Sequence, residues 1–139
     1  MTNYDCIIIG GGPAGVAAAK KLSESNLKFC IIEKEKFPRM KLCGGGLTSK
    51  SQDILEELNL NYQKDQMIDI VKIEYKKKIY DWKMDRPIIM VDRKTFDNDN
   101  LNQIKELGIT VYEEEMIEKI ENNKIITNNL YYLLSYIFY

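Results

Sequence analysis

The sequence predicts an α/β fold, with a parallel βαβ start joined to antiparallel hairpin strands. Three observations predict it. An uncharged, β-branched run, Cys6 to Ile9, ends in three glycines and opens an alanine-rich helical stretch. A second apolar run, Lys28 to Glu33 (KFCIIE), follows that helix after a short break, the arrangement of a parallel pair with a crossover helix. From Ile70 onward the apolar period changes to two, the period of strands with unlike faces.

In chain order, the first strand is Tyr4 to Ile9 and the first helix runs from about Pro13 to Ser25. Pro13 suits the first helical turn, where its missing N–H is no loss, and Asn26 can end the helix. Ala14, Ala17, Ala18 and Ala19 make a helix small enough to lie close on a sheet. The second strand is Lys28 to Glu33. A basic, glycine-rich loop follows, in which Pro38 blocks regular structure and Gly44 to Gly46 permit unusual dihedrals. Ser49 and Gln52 have capping-box spacing ahead of a helix carrying Ile54, Leu55 and Leu58. Val71, Ile73 and Tyr75 then share one strand face, Lys76 to Lys78 form a solvated turn, and Tyr80, Trp82 and Met84 share the face of the returning strand. This stripe reads as core packing, with a ligand platform as the alternative. Ile88 to Val91 reads as a third strand after Pro87, and the set belongs to an antiparallel layer apart from the parallel sheet, over a cofactor site. Asp92 caps a helix carrying Phe96, Leu101, Ile104 and Leu107 that Gly108 closes, and Ile109 to Glu113 returns to the parallel sheet. Met116 to Glu121 and Lys124 to Thr127 flank Asn122-Asn123 as a hairpin. The tail, Leu130 to Tyr139, has no charge and no alternation. At ten residues it is too short to span a bilayer, and it reads as the product of a truncation or frameshift, with a final buried strand as the alternative.

The chemistry sits in the first turn. Gly10, Gly12 and Gly15 have the G-x-G-x-x-G spacing: a tight turn, a close backbone approach to a pyrophosphate, and close packing of helix on strand. The free N–H groups beyond Pro13 point at an anion at the positive end of the helix dipole. Glu33 ends the second strand 18 residues beyond Gly15, near the spacing expected for a carboxylate that accepts from both hydroxyls of an adenosine ribose. Such a carboxylate disfavours a 2′-phosphate by like-charge repulsion. Lys36, Arg39 and Lys41 supply positive charge to balance a dianionic cofactor, a mobile solvated loop being the alternative.

Composition removes other classes. A formal net charge of −1 without a large basic block gives nothing to favour nucleic acid. The chain has no histidine, which excludes Ser-His-Asp and Cys-His chemistry, and its three scattered cysteines make a zinc site improbable. No disulfide framework appears and the N-terminus lacks a basic n-region, which together imply a reducing, cytoplasmic setting. At 139 residues the chain is one domain's worth, short for a dinucleotide enzyme with its own substrate domain.

GGGPAG, then Glu33-Lys34, then FPRMKLCGGGL and VDRKTFD together resemble the N-terminal flavin-binding part of the geranylgeranyl reductase family, whose fold is that of the p-hydroxybenzoate-type hydroxylases. PR-x-K-x-CGGG is the specific part, while GGGPAG and Glu33 are shared by many flavoproteins. The resemblance implies an incomplete Rossmann-like FAD-binding domain over 1–127, with 68–91 an antiparallel insertion toward the substrate side and 128–139 an atypical tail. It implies FAD as cofactor, held by Gly10, Gly12, Pro13, Ala14 and Gly15 at the diphosphate and by Glu33, with Lys34 beside it, at the adenosine ribose. Arg39 joins the cofactor site in the same loop. Cys43, Gly44 and Gly46 would lie beside the isoalloxazine ring, Arg93 near phosphate and ribitol, and the backbone of Ile117 at the adenine. Cys43 is the single candidate for a side-chain proton donor, with packing against the flavin the alternative. The implied reaction is reduction of isoprenoid double bonds, with NAD(P)H or ferredoxin left open as electron donor and peripheral membrane contact implied by a lipid substrate. The family's second flavin motif, an acidic, glycine-containing strand end, is not found in these residues. A nucleotide-binding remnant without catalysis and an aromatic hydroxylase are the alternatives.

Overall fold

The computed structural model describes residues 2–121 and 124–134. Its elements, in order, are β1 (Thr2–Tyr4), β2 (Cys6–Ile9), α1 (Pro13–Leu22), β3 (Phe29–Ile32), β4 (Gly46–Leu47), α2 (Ser49–Glu57), β5 (Gln66–Tyr75), β6 (Lys78–Met90), α3 (Arg93–Glu106), β7 (Thr110–Tyr112), β8 (Ile117–Glu121), β9 (Lys124–Thr127) and β10 (Tyr131–Leu134). Two compact units divide them. One runs to Arg39 and resumes at Asp97, and the other is Met40–Phe96.

In the first unit, β2, β3 and β7 form a parallel sheet in the order β2-β3-β7, the α/β arrangement that the sequence predicts. The expected single strand from Tyr4 to Ile9 is in fact two strands. Lys28 N–H donates to the Asp5 carboxylate (2.8 Å) while Asp5 N–H donates to Lys28 O (2.7 Å), and this exchange moves the chain from one sheet to another. β1 therefore pairs with β10, in a second sheet ordered β1-β10-β9-β8. The hairpin of β8 and β9 forms as expected, with Glu121 opposite Lys124, and its turn at Asn122-Asn123 lies outside the described residues. Of the apolar tail, residues 131–134 form β10, parallel to β1 and antiparallel to β9, and 135–139 lie outside the described residues. The core of this unit is Tyr4, Cys30, Ile32, Ile125 and Tyr132, with Ile7, Tyr112 and Ile117 packed on it.

α1 begins at Pro13, as its ring geometry favours, and buries Val16 and Ala19. It ends at Leu22, three residues before the expected Ser25, because Ser23 and Ser25 turn their hydroxyls back onto the carbonyls of Lys20 and Leu22. α3 begins after Asp92, whose carboxylate accepts from the N–H (3.0 Å) and hydroxyl (2.9 Å) of Thr95. Gly108 closes it at φ +80°. Its buried residues are Phe96, Asp97, Asn100, Leu101 and Ile104, so the buried stripe holds two polar side chains that an apolar pattern does not reveal. Leu107, expected on that stripe, lies past the helix end and is half exposed.

In the second unit, β5 and β6 form the expected hairpin, turning at Lys76 and Lys77, both at positive φ. Ile88 to Met90 is the end of β6 and not a separate third strand. A register shift between Ile68 and Ile70 sets residues 84–87 outside the ladder, which tolerates the missing N–H of Pro87. The expected capping box of Ser49 and Gln52 does not form. Thr48 is the N-cap, and the buried Gln52 amide instead donates to Leu47 O and Pro87 O, both at 2.9 Å. Nor is the aromatic stripe core: Ile73, Tyr75, Tyr80 and Trp82 are all exposed, Trp82 by 64%, because β4 pairs β6 only at Ile89 and Met90 and nothing in this unit covers the distal hairpin. No helix is long and apolar enough to cross a membrane among the described residues.

Candidate cofactor site

The turn between β2 and α1 is built by backbone. Gly10 N–H donates to Ile32 O (2.8 Å), tying the turn to the end of β3. The first helical bond of α1 runs from Val16 N–H to Gly12 O (2.9 Å), so the Ala14 and Gly15 N–H groups lie ahead of the helical ladder at the positive end of the helix. A β-carbon on Gly15 would meet Gly10 O at 1.9 Å, which makes glycine obligatory for this close turn. Pro13 and Ala14 are exposed at its rim.

Glu33 enters from the end of β3. It is buried at 5% exposure, and its two oxygens accept from Gly11 N–H (2.7 Å) and Glu35 N–H (2.9 Å). The carboxylate thus pins the glycine turn, and it retains lone pairs for further donors. Arg39 comes from the loop after β3. Its side chain is 11% exposed, with Nη1 donating to the fully buried Asp97 carboxylate at 2.9 Å, Nε 3.9 Å from Glu35 and the guanidinium over the Phe37 ring at 4.6 Å. A β-carbon on Gly12 would lie 3.6 Å from Arg39 Nη2, so the guanidinium borders the turn. Backbone donors, a helix N-terminus and a fixed guanidinium converge there, the donor set that suits a diphosphate.

The first unit therefore brings together Gly10, Gly12, Pro13, Ala14, Gly15, Glu33 and Arg39 of the residues singled out in the sequence. Lys34 is exposed beside Glu35 (4.0 Å), and Ile117 opens β8, packed on the core. In the second unit, Cys43 and Gly44 are exposed, Gly46 sits in β4 with Ile88 3.3 Å from its β-carbon position, and Arg93 lies half-buried in the first turn of α3. Two residues were missed. Gly45, at φ +74°, has Val91 O 2.1 Å from where a β-carbon would stand, so it is the constrained glycine of the CGGG run. Asp97 stands in the FD pair of VDRKTFD, but only a through-space contact shows its partner.

The cysteines separate by environment. Burial pushes the Cys30 thiol up to about 12 and raises Cys6 as well, whereas Cys43 is an exposed thiol.

Comparison with known proteins agrees with this geometry. The chain matches the family described as FAD dependent oxidoreductase over residues 5–136. It belongs to that family. The cofactor of the family is FAD, and the donor set at Gly10 to Gly15 with Arg39 fits that cofactor's diphosphate. An uncharacterized protein of Methanosarcina barkeri is 32% identical over 125 residues, which are 86% of this chain and 31% of that protein. A digeranylgeranylglycerophospholipid reductase of Methanoculleus marisnigri is 59% identical over 32 residues, 23% of this chain and 8% of that protein. Among solved structures, a geranylgeranyl bacteriochlorophyll reductase-like protein of Thermoplasma acidophilum superposes with a TM-score of 0.78 at 23% identity, over 96% of this chain and 37% of its own. A flavin-dependent brominase superposes with 0.81 at 24%, over 96% and 36%. These two show the shared fold. The chain spans about a third of the length of the Methanosarcina relative.

Proposed function

We propose that this chain is the FAD-binding portion of an oxidoreductase that reduces isoprenoid double bonds of the geranylgeranyl type. The observation that carries the cofactor half is the glycine turn with Arg39 at its border and Glu33 buried beneath it. The isoprenoid half is supported by the PR-x-K-x-CGGG run and by the short, 59% identical stretch of the digeranylgeranylglycerophospholipid reductase.

In this reading Gly12, Ala14 and Gly15 offer backbone N–H groups to the diphosphate, Gly10 and Pro13 shape the turn that presents them, and Arg39 neutralises part of the charge. Glu33 accepts from the adenosine ribose, with Lys34 beside it, and the backbone of Ile117 meets the adenine. Cys43, Gly44 and Gly46 line the ring side, and Arg93 meets phosphate and ribitol. Bound FAD supplies the hydride chemistry. The chain's own part is to orient the cofactor and exclude water, with Cys43 either packing against the ring or giving a proton from its thiol. The substrate is an apolar isoprenoid, a lipid one bringing peripheral membrane contact, the electron donor is NAD(P)H or ferredoxin, and the free cysteines suit a cytoplasmic, reducing setting.

Titration of the purified chain with FAD and NAD tests the cofactor half, read by flavin fluorescence and melting temperature. FAD is expected to stabilise the chain preferentially, since a ligand held at about 100 times its dissociation constant adds about 2.7 kcal/mol. Preferential stabilisation by NAD overturns the assignment. For the substrate half, a geranylgeranyl ligand is expected to perturb the flavin spectrum of the loaded chain, and a response to p-hydroxybenzoate alone favours the hydroxylase. The chain by itself is expected to show no steady-state reduction.

A further inference from the structure

Arg39 lies in a loop, where a long side chain ordinarily keeps its rotamer freedom, yet its side chain is only 11% exposed and its guanidinium has neighbours on three sides. Asp97 Oδ2 takes Nη1 at 2.9 Å, the Phe37 ring lies under the plane at 4.6 Å, and Glu35 stands 3.9 Å from Nε. Nη2 is left on the side of Gly12. A guanidinium is a rigid planar fork, so fixing Nη1 and one face also fixes the direction of the Nη2 donors. Asp97 is itself buried, on the inner stripe of α3 one helical turn before Leu101, whose methyl lies 3.3 Å from the β-carbon position of Gly11. The helix that holds the carboxylate thus also packs against the glycine turn.

We propose that Asp97 is a positioning residue, which acts through Arg39 to aim Nη2 at an anionic diphosphate in the Gly10–Gly15 turn. This rests on the FAD reading above. A buried ion pair adds little net stability over a well-packed apolar pair, so orientation is the benefit that an aspartate gives here. The carboxylate also brings negative charge toward an anion site. A purely electrostatic role would therefore make its removal strengthen anion binding, whereas a positioning role makes removal weaken it.

The test uses the full chain, with inorganic pyrophosphate and FAD as separate ligands. Wild type, Asp97→Asn, Arg39→Met and the double variant are compared by dissociation constant, melting temperature and the 15N resonance of the Arg39 side chain. Pyrophosphate is expected to shift the wild-type Arg39 signal, Asp97→Asn to weaken binding about tenfold, and the double variant to bind no more weakly than Arg39→Met, the pattern of two groups acting as one. If Asp97→Asn lowers the melting temperature but leaves both dissociation constants unchanged or tighter, Asp97 is a fold staple and the proposal fails. Additive losses in the double variant, or a pyrophosphate complex that leaves the Arg39 signal in place, overturn it as well. Should Asp97→Asn not fold, Asp97→Glu keeps the charge, moves the carboxylate by one methylene and carries the same comparison. If pyrophosphate binds in this Asp97-dependent way and FAD does not bind, the flavin reading fails while the positioning role stands.

Discussion

At the residue scale, two glycines that look alike in sequence differ in what they tolerate. A β-carbon on Gly44 meets nothing within 4 Å, while one on Gly15 meets Gly10 O at 1.9 Å. Gly15→Ala is therefore expected to cost about 2 to 4 kcal/mol, since backbone and not a flexible side chain must move. Gly44→Ala is expected to be near neutral. Urea unfolding of both variants checks this, and equal midpoints would show that the turn relaxes freely. Glu33 carries a similar lesson. Its place at the end of a strand, 18 residues after Gly15, is legible in the sequence, but its burial and its bonds to Gly11 and Glu35 are not, because they depend on how β3 ends against the turn. It is not a solvated strand end, and Glu33→Ala is expected to lower stability as well as FAD affinity.

At the scale of elements, period-two patterning located the hairpin of β5 and β6, since alternation follows directly from strand geometry, but not the continuation of β6 through Ile88 to Met90. It did not tell which face is covered. Trp82, the single tryptophan, is exposed in a stripe with Ile73, Tyr75 and Tyr80, and so its emission is expected to be that of a solvated indole, readily quenched by acrylamide. A blue-shifted, quench-resistant emission in dilute solution would show that the stripe is covered. Gln52 shows the opposite case, a polar residue placed inside. With 2% exposure it serves two carbonyls, Leu47 O on β4 and Pro87 O in the irregular stretch of β6. Gln52→Leu leaves both without that donor and is expected to cost about 1 to 3 kcal/mol. Wild-type stability of that variant in urea would mean that water replaces the amide.

For the whole molecule, the core between the parallel sheet and the β1-β10-β9-β8 sheet of the first unit sets the pH response. Burial raises the Cys30 thiol from 9.0 to about 12, and burial raises the Tyr4 and Tyr132 hydroxyls, helped by the Tyr112 hydroxyl at Tyr4 and by Glu115 at Tyr132. These groups are neutral in both states below about pH 9. Between pH 9 and about 12 the unfolded chain loses protons that the folded chain keeps, so stability is present below that window and falls as the pH rises through it. Each such proton contributes about 1.4 kcal/mol per pH unit. Cys30→Ala is expected to flatten the first part of the decline, as seen in urea midpoints taken from pH 7 to 11. An unchanged slope would show that the thiol does not carry it. In the same native protein, a thiol reagent is expected to modify Cys43 well before Cys30.

The sequence by itself determined the elements whose signals are local. These are the apolar runs of β2 and β3, the proline start of α1, the lysine turn of the hairpin, the Asp92 cap and the glycine spacing that implies a phosphate. Each depends on neighbouring residues and on backbone geometry, which the order of residues states directly. Only the tertiary structure decided the split of the first strand at Asp5, the transfer of Gln52 from a capping role to two carbonyls, that of Pro87 among them, the exposure of the aromatic stripe and the pairing of Arg39 with Asp97. All four depend on partners 20 or more residues away, or on which face another element covers, and hydrophobic periodicity holds no record of either.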